Sequence, residues 1–256
     1  EMGEWALVPY LEAFLRTGAG EWIDVYAFHY YGLARQHPAT PGAQLYSSAE
    51  TIVAEMRALL SRYGQETAPI WVTETSTFSG GMGPVLQSES DQAADLVKRY
   101  VLLWSLGVEV VQWCYLTEPQ YEGTGEGFFD QSGLIYDGLG PYDLGAGVEK
   151  RAFYAYQEMV RRLGDTVLIN RSSDGGVTWV RFESTAGPLS VLWKDPWLHA
   201  GPVWVLADGS TEVVGLCGEV FEEITGWHRF DLELEPIYLQ GRIAAVSRNA
   251  PTLQQP

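Results

Sequence analysis

The chain has 256 residues, of which 46% are hydrophobic, and this is enough apolar material for one large domain or two smaller ones. Its 33 acidic and 16 basic residues give a formal net charge of −17, and such a surface repels phosphate, so we expect no nucleic acid partner. The sequence has no run of about 18 apolar residues, so we expect no membrane span.

Up to residue 163, predicted helices and strands alternate along the chain. Apolar residues recur at helical spacing in segments that stop at a glycine, and runs of β-branched and aromatic residues lie between them. Three of the four predicted helices are 5–17, 90–106 and 149–163. The remaining helix begins near Ser47, which has the capping-box spacing to Glu50, and stops at Gly64. The predicted strands are 23–31, 70–75 and 107–116. This alternation is typical of a parallel sheet that helices cover.

After Gly164 the pattern changes, and no further helix is predicted. Short apolar segments alternate with turns rich in glycine, aspartate and proline. This pattern predicts a small antiparallel β-domain, a sandwich, over residues 164–246, followed by a loose tail at 247–256.

Polar and aromatic side chains end each of the three predicted strands of the first part. His29 and Tyr31 end the first strand, Glu74 ends the second (IWVTET), and the segment from Trp113 to Glu118 ends the third. Because ligands of parallel α/β folds bind at the carboxyl ends of the strands, we expect these ends to share one site. A carboxylate left unpaired inside a buried strand costs several kcal/mol, so Glu74 is either a salt-bridged structural residue or a site residue.

These segments resemble part of a known group of enzymes. In order, IDVYAFHYYG, PIWVTETS and GVEVVQWCYL resemble strands six, seven and eight of the (β/α)8 barrel of clan A glycoside hydrolases, especially the family 39 and family 5-like enzymes. KRAFYAYQEM resembles the final barrel helix, and the stretch from TWVRFES to EPIYLQG resembles the β-domain that follows the barrel. The resemblance implies an α/β fold: a partial (β/α)8 TIM barrel at 1–163, then a β-sandwich at 164–246.

The resemblance also implies roles for individual residues. Glu74 would be the nucleophile of a retaining glycosidase, a group that must stay ionised and therefore needs hydrogen-bond donors. Tyr31 would donate such a bond, and Trp113 would form a platform under the sugar. For Glu118 a solvated loop charge is the alternative to a substrate contact. The implied substrate-binding residues are His29, Tyr31, Trp113, Tyr115 and Glu118.

Two features depart from the family pattern. The acid/base glutamate of clan A follows an asparagine, and this chain contains no Asn-Glu pair. A full barrel takes about 250 residues, whereas 163 precede the predicted β-domain. We therefore expect the C-terminal portion of a larger enzyme, with the acid/base residue upstream of Glu1 and little activity in this portion alone.

The alternative is a non-catalytic carbohydrate-binding or structural protein on a degenerate barrel. Either function would involve carbohydrate and would need no cofactor. The two cysteines and four histidines are scattered without the spacing of a metal site, so we expect free thiols and no metal.

Overall fold

The computed structural model describes residues 7–32, 48–83, 85–121, 123–195 and 198–251. The chain forms two compact units, residues 1–86 with 102–147 and residues 87–101 with 148–256. The domain boundary after residue 163 stays a prediction. No helix in the described ranges is long and apolar enough to cross a membrane.

The elements of the described residues follow the predicted alternation and then change to strands alone. The α-helices are α1 (Leu7–Leu15), α2 (Ala49–Arg62), α3 (Glu89–Ser105) and α4 (Arg151–Leu163), and short 3-10 helices lie at Ala19–Trp22 and, within the loop after β5, at Phe129–Gln131. The strands are β1 (Tyr26–His29), β2 (Ile70–Thr75), β3 (Gly80–Met82), β4 (Val85–Gln87), β5 (Val110–Trp113), β6 (Val167–Asp174), β7 (Val177–Ser184), β8 (Gly187–Lys194), β9 (Val203–Val214), β10 (Val220–Phe230), β11 (Ile237–Gln240) and β12 (Ile243–Ser247).

The first unit contains a three-stranded parallel sheet in the order β1-β2-β5, with β2 in the centre. Ile70 and Val72 of β2 are fully buried in a core that includes the apolar face of α2. That face presents Ile52, Val53, Met56, Leu59 and Leu60, which recur at helical spacing. An isolated helix of this length is only marginally stable in water, so the burial of this apolar face against the sheet stabilises α2.

The start of α2 differs from the prediction by one residue. Ser48 is the N-cap, and its hydroxyl accepts a hydrogen bond from the Thr51 backbone N–H at 3.2 Å. Ser47, the predicted cap, lies outside the described residues. The end of the helix matches the prediction, since Gly64 follows it in the left-handed region at φ 71°.

The second unit contains α4 and a curled antiparallel sheet in the order β10-β9-β11-β8-β7-β6, with β12 also paired to β9. Strand β9 is long enough to pair with β10 along one edge and with both β12 and β11 along the other. Its residues Val203, Val205 and Val213 lie in the core of this sheet. The strands therefore form one continuous sheet, and a sandwich of two separate sheets is not confirmed.

Candidate active site

Glu74 lies at the carboxyl end of β2, the central parallel strand. Its neighbours on the two flanking strands end at the same edge. His29 of β1 is the residue opposite Glu74, and Trp113 of β5 is opposite Thr75. Cys114, which follows Trp113, donates its backbone N–H to the Thr75 carbonyl at 2.9 Å. The three strand ends therefore meet at one edge of the sheet.

Both carboxylate oxygens of Glu74 have a partner. The Tyr31 hydroxyl donates a hydrogen bond to Oε1. Nδ1 of His29 lies 2.7 Å from Oε2 of Glu74, and the His29 side chain is 59% exposed. The Glu74 side chain itself is 25% exposed. The carboxylate is thus held in one orientation and remains accessible to a ligand.

Two of the groups next to Glu74, the Tyr31 phenol and the Cys114 thiol, are held in their neutral forms. Burial raises the pKa of Tyr31 above its ordinary value, and the hydrogen bond to Glu74 raises it further, so the phenol remains a donor. Sγ of Cys114 lies 3.9 Å from the Tyr31 hydroxyl. Burial also raises the pKa of the Cys114 thiol. Glu74 therefore faces an uncharged phenol and an uncharged thiol at neutral pH.

Aromatic rings from the loop that follows β5 pack against Tyr31. The Tyr31 ring makes edge contacts with Phe128 and Phe129, at centroid distances of 5.8 and 5.6 Å. Tyr115 contacts Phe129 at 6.3 Å. Burial raises the pKa of Tyr115, and the nearby carboxylate of Glu74 raises it further. Tyr115 therefore belongs to the same cluster as Tyr31.

Trp113 is half-buried, and its side chain connects the end of β5 to the loop that follows this strand. Its indole Nε1 donates to the Ser132 carbonyl at 3.0 Å. This bond fixes the orientation of the ring. Its role as a sugar platform stays a prediction.

Glu118 is 6% exposed, so the interpretation of this residue as a solvated loop charge is wrong. Three carboxylate oxygens lie within 4.8 Å of one another, one each from Glu118, Asp137 and Asp143. Such a set of oxygens could hold a calcium or magnesium ion. The Asp143 carboxylate also accepts backbone N–H groups of Gly138 and Gly145, at 2.7 and 2.5 Å, so it already has a structural role in its loop. The substrate contact of Glu118 stays a prediction.

The side chain of Gln131 joins strand β3, in the segment after β2, to the loop after β5. Its Oε1 accepts the Gly81 N–H at 2.9 Å, and its Nε2 donates to the Gly81 carbonyl at 2.9 Å. The same nitrogen donates to the carbonyls of Glu126 and Gly127, at 2.8 and 3.2 Å. A Cβ on Gly80 would overlap Oε1 of Gln131, and Gly80 has φ 133°. The glycines after β2 thus allow this close approach.

Sequence reasoning missed several residues of the candidate site. The missed residues are Cys114, Tyr121, Phe128, Phe129 and Gln131. Most of them lie in a loop, where no periodicity marks which side chains point inward. The one available signal was the adjacent aromatic pair of residues 128–129 in a glycine-rich loop.

Neither a family model nor a curated protein matches the chain. Solved structures do match it. A family 39 glycoside hydrolase from the gut symbiont Bacteroides cellulosilyticus WH2 has a TM-score of 0.70 and 16% identity, over 90% of this chain and 46% of that one. A glucosidase from Croceicoccus marinus has a TM-score of 0.53 and 16% identity, over 94% and 58%. A family 39 enzyme from Xanthomonas axonopodis pv. citri has a TM-score of 0.50 and 13% identity, over 92% and 58%.

These identities are low, so the matches establish the fold. The chain spans 46 to 58% of the length of these three proteins. The match includes most of this chain, from the parallel strands to the antiparallel sheet. The chain therefore has the fold of the corresponding part of clan A glycoside hydrolases such as the family 39 enzymes, as the sequence resemblance implied.

Proposed function

We propose that the chain is the C-terminal part of a retaining glycoside hydrolase that cleaves β-glycosidic bonds of oligo- or polysaccharides, with Glu74 as the nucleophile. The observation that carries the proposal is the state of Glu74 at the carboxyl edge of the central strand. Its two oxygens are held by Tyr31 and His29 while its side chain is still 25% exposed. The fold shared with glycoside hydrolases, including a glucosidase, supports the same conclusion.

In the proposed reaction, one oxygen of Glu74 attacks the anomeric carbon as the bond to the leaving oxygen breaks. An acid/base carboxyl group protonates that oxygen, and a glycosyl ester of Glu74 forms. The same group, now a carboxylate, then takes a proton from a water molecule, which attacks the anomeric carbon from the face opposite Glu74. The bond between the anomeric carbon and Glu74 breaks, which releases the Glu74 carboxylate and restores the original configuration. Tyr31 keeps its hydrogen bond to Oε1 throughout, which leaves Oε2, near His29, as the attacking oxygen.

The acid/base group must lie about 5–5.5 Å from the nucleophile. We infer that strands upstream of Glu1 supply it, as part of a (β/α)8 TIM barrel of which residues 1–163 are the C-terminal portion. Residues 164–246 then form the β-domain that follows the barrel. The share of the neighbouring structures that the chain covers, 46 to 58%, supports this inference. This portion alone is expected to show little or no turnover.

The test is Glu74→Gln in the complete protein. Glutamine keeps the size of the side chain and an oxygen that accepts the Tyr31 bond, but it cannot act as an anionic nucleophile. We expect turnover to fall about 10³-fold or more, with substrate binding retained. The matched control is Glu109→Gln, an exposed glutamate just before β5 at the opposite end of the parallel sheet. We expect the control to keep full turnover.

A second readout tests the retaining mechanism. A 2-deoxy-2-fluoro glycoside with a good leaving group should add one sugar mass to the peptide that contains Glu74. Unchanged turnover in Glu74→Gln would contradict the role of Glu74 as the nucleophile. A complete wild-type protein that binds oligosaccharides without any turnover would favour the alternative, a non-catalytic carbohydrate-binding or structural protein on a degenerate barrel.

A further inference from the structure

The loop after β5 carries an aromatic side chain, Tyr121, that is exposed to solvent and also contacts another aromatic ring. The Tyr121 residue is 67% exposed, and its ring contacts Phe129 at a centroid distance of 5.2 Å and an interplanar angle of 62°. Phe129 in turn contacts Tyr31 and Tyr115, at 5.6 and 6.3 Å. Aromatic contacts therefore run without a break from solvent to the tyrosine that holds Glu74.

Hydrogen bonds fix this loop close to Tyr121. The Asp130 carboxylate, on a residue that is 3% exposed, accepts the N–H groups of Thr124 and Gly125 at 3.4 and 3.2 Å. The next residue, Gln131, binds the loop through the carbonyl of Glu126 at 2.8 Å. A ring presented by a fixed loop loses little conformational freedom when a ligand packs on it.

We propose that Tyr121, Phe129 and Tyr115 form an aromatic platform that binds a neutral sugar ring of an oligosaccharide, next to the sugar that reacts at Glu74. The flat face of an aromatic ring packs against the apolar C–H face of a pyranose, and the exposure of Tyr121 leaves a face free for that contact. The inference rests on the proposed function, because Glu74 supplies the reason to expect a carbohydrate at this edge of the sheet.

The surroundings of Tyr121 favour a neutral, polar ligand. Gln120, Thr124 and Glu126 are exposed on the same loop and offer partners for sugar hydroxyl groups. A purely apolar ligand would cover these groups without pairing them, at a cost in free energy. With the charge of Glu126 nearby and a net charge of −17, the chain repels acidic sugars.

The experiment measures binding to the purified chain, so it does not depend on turnover. The probes are cellotetraose and xylotetraose as neutral oligosaccharides, and tetragalacturonic acid as an acidic one. Isothermal titration calorimetry compares the wild-type chain with Tyr121→Ala, Tyr121→Phe and the control Tyr10→Ala. Tyr10 is matched because it is 70% exposed, and it lies on α1 rather than on the loop. Circular dichroism establishes that each variant is folded.

We expect at least one neutral probe to bind, and Tyr121→Ala to weaken that binding about tenfold, the loss of one stacked ring. Tyr121→Phe and Tyr10→Ala should stay within about twofold of wild type. The platform is refuted if neither neutral probe binds at millimolar concentration, if Tyr121→Ala binds as wild type does, or if Tyr121→Phe loses as much as Tyr121→Ala. Tighter binding of tetragalacturonic acid would refute the neutral ligand.

The two proposals fail separately. If Tyr121→Ala loses binding while Glu74→Gln keeps full turnover, the platform stands and the role of Glu74 as nucleophile falls. If Glu74→Gln loses turnover while Tyr121→Ala binds normally, only the platform falls.

Discussion

Removal of the Gln131 side chain tests whether one buried amide holds strand β3 and the loop after β5 together. Gln131 is 3% exposed, and its carboxamide bonds to Gly81 in β3 and to Glu126 and Gly127 in the loop. The variant Gln131→Ala removes these bonds and leaves the backbone groups that made them without that partner. We expect the variant to fold but to be less stable than wild type.

The magnitude follows from the geometry. The amide nitrogen has two hydrogens, so its three acceptors share them, and Oε1 accepts one further bond. Three bonds of about 1 kcal/mol each give a loss of about 3 kcal/mol in the free energy of unfolding. The same loss predicts that local opening exposes the Gly81 amide roughly 100-fold more often.

Equilibrium urea unfolding measures the stability, and hydrogen exchange of the Gly81 amide measures the local effect. The control is Gln120→Ala, which removes an exposed glutamine of the same loop and should change stability by less than about 0.5 kcal/mol. If Gln131→Ala lies within about 1 kcal/mol of the control, with unchanged exchange at Gly81, other contacts hold the loops and the assignment to Gln131 is wrong.

Two further predictions concern stability. A hydrogen bond from Arg161 lowers the pKa of Glu158 below its ordinary value of 4.5, so its stabilising effect is present above that pH and is lost as the pH falls through the lowered pKa. Urea midpoints at neutral and acid pH should therefore differ less in Glu158→Gln than in wild type, and an unchanged difference would refute this role. Gly80→Ala should destabilise more than Gly83→Ala in thermal unfolding, for two reasons. A Cβ at residue 80 overlaps Gln131 whereas open space surrounds Gly83, and the φ of 133° at Gly80 lies outside the left-handed region that includes the φ of 57° at Gly83. Equal losses would refute the steric explanation.

The sequence predicted the regular elements well where the spacing of apolar residues and the residues that end an element, such as glycine, agree. β2 has the predicted bounds, Ile70–Thr75, and α3 begins and ends one residue before its prediction. The hairpin of β3 and β4 was missed because its strands are three residues each and two of the three residues of β3 are glycine. Strand β9 continues from Val203 to Val214 through the turn-like sequence ADGS, whose composition favours a turn. Ala207 pairs with both β10 and β12, and Thr211 pairs with β10 again, so the strand continues across this segment through a register shift.

The candidate site was predictable only in part, for a related reason. His29, Tyr31 and Glu74 lie at strand ends, and the order of strands in a parallel sheet brings such ends together. Phe129 and Gln131 reach the same place from a loop whose path depends on contacts between residues that are distant in sequence. No local pattern in the loop encodes that path.

The orientation of Glu74 depends on an irregularity at the end of β2. Strict alternation along the strand would place Glu74 on the same face as Ile70 and Val72, which are fully buried in the apolar core. A carboxylate on that face would cost several kcal/mol. Instead, the register between β1 and β2 shifts just before His29, which therefore lies opposite Glu74, and the register with β5 shifts in the same region.

A one-residue shift turns a side chain to the other face of a sheet, and bulges often lie beside functional sites for this reason. The contacts of Glu74 agree with such a turn, because its partner His29 is exposed whereas the preceding residue of β1 is buried. A charged residue inside an apolar strand is thus compatible with a stable core, since the regular pleat ends before the charge. The same irregularity that keeps the carboxylate out of the core also brings it to the edge where the proposed reaction needs it.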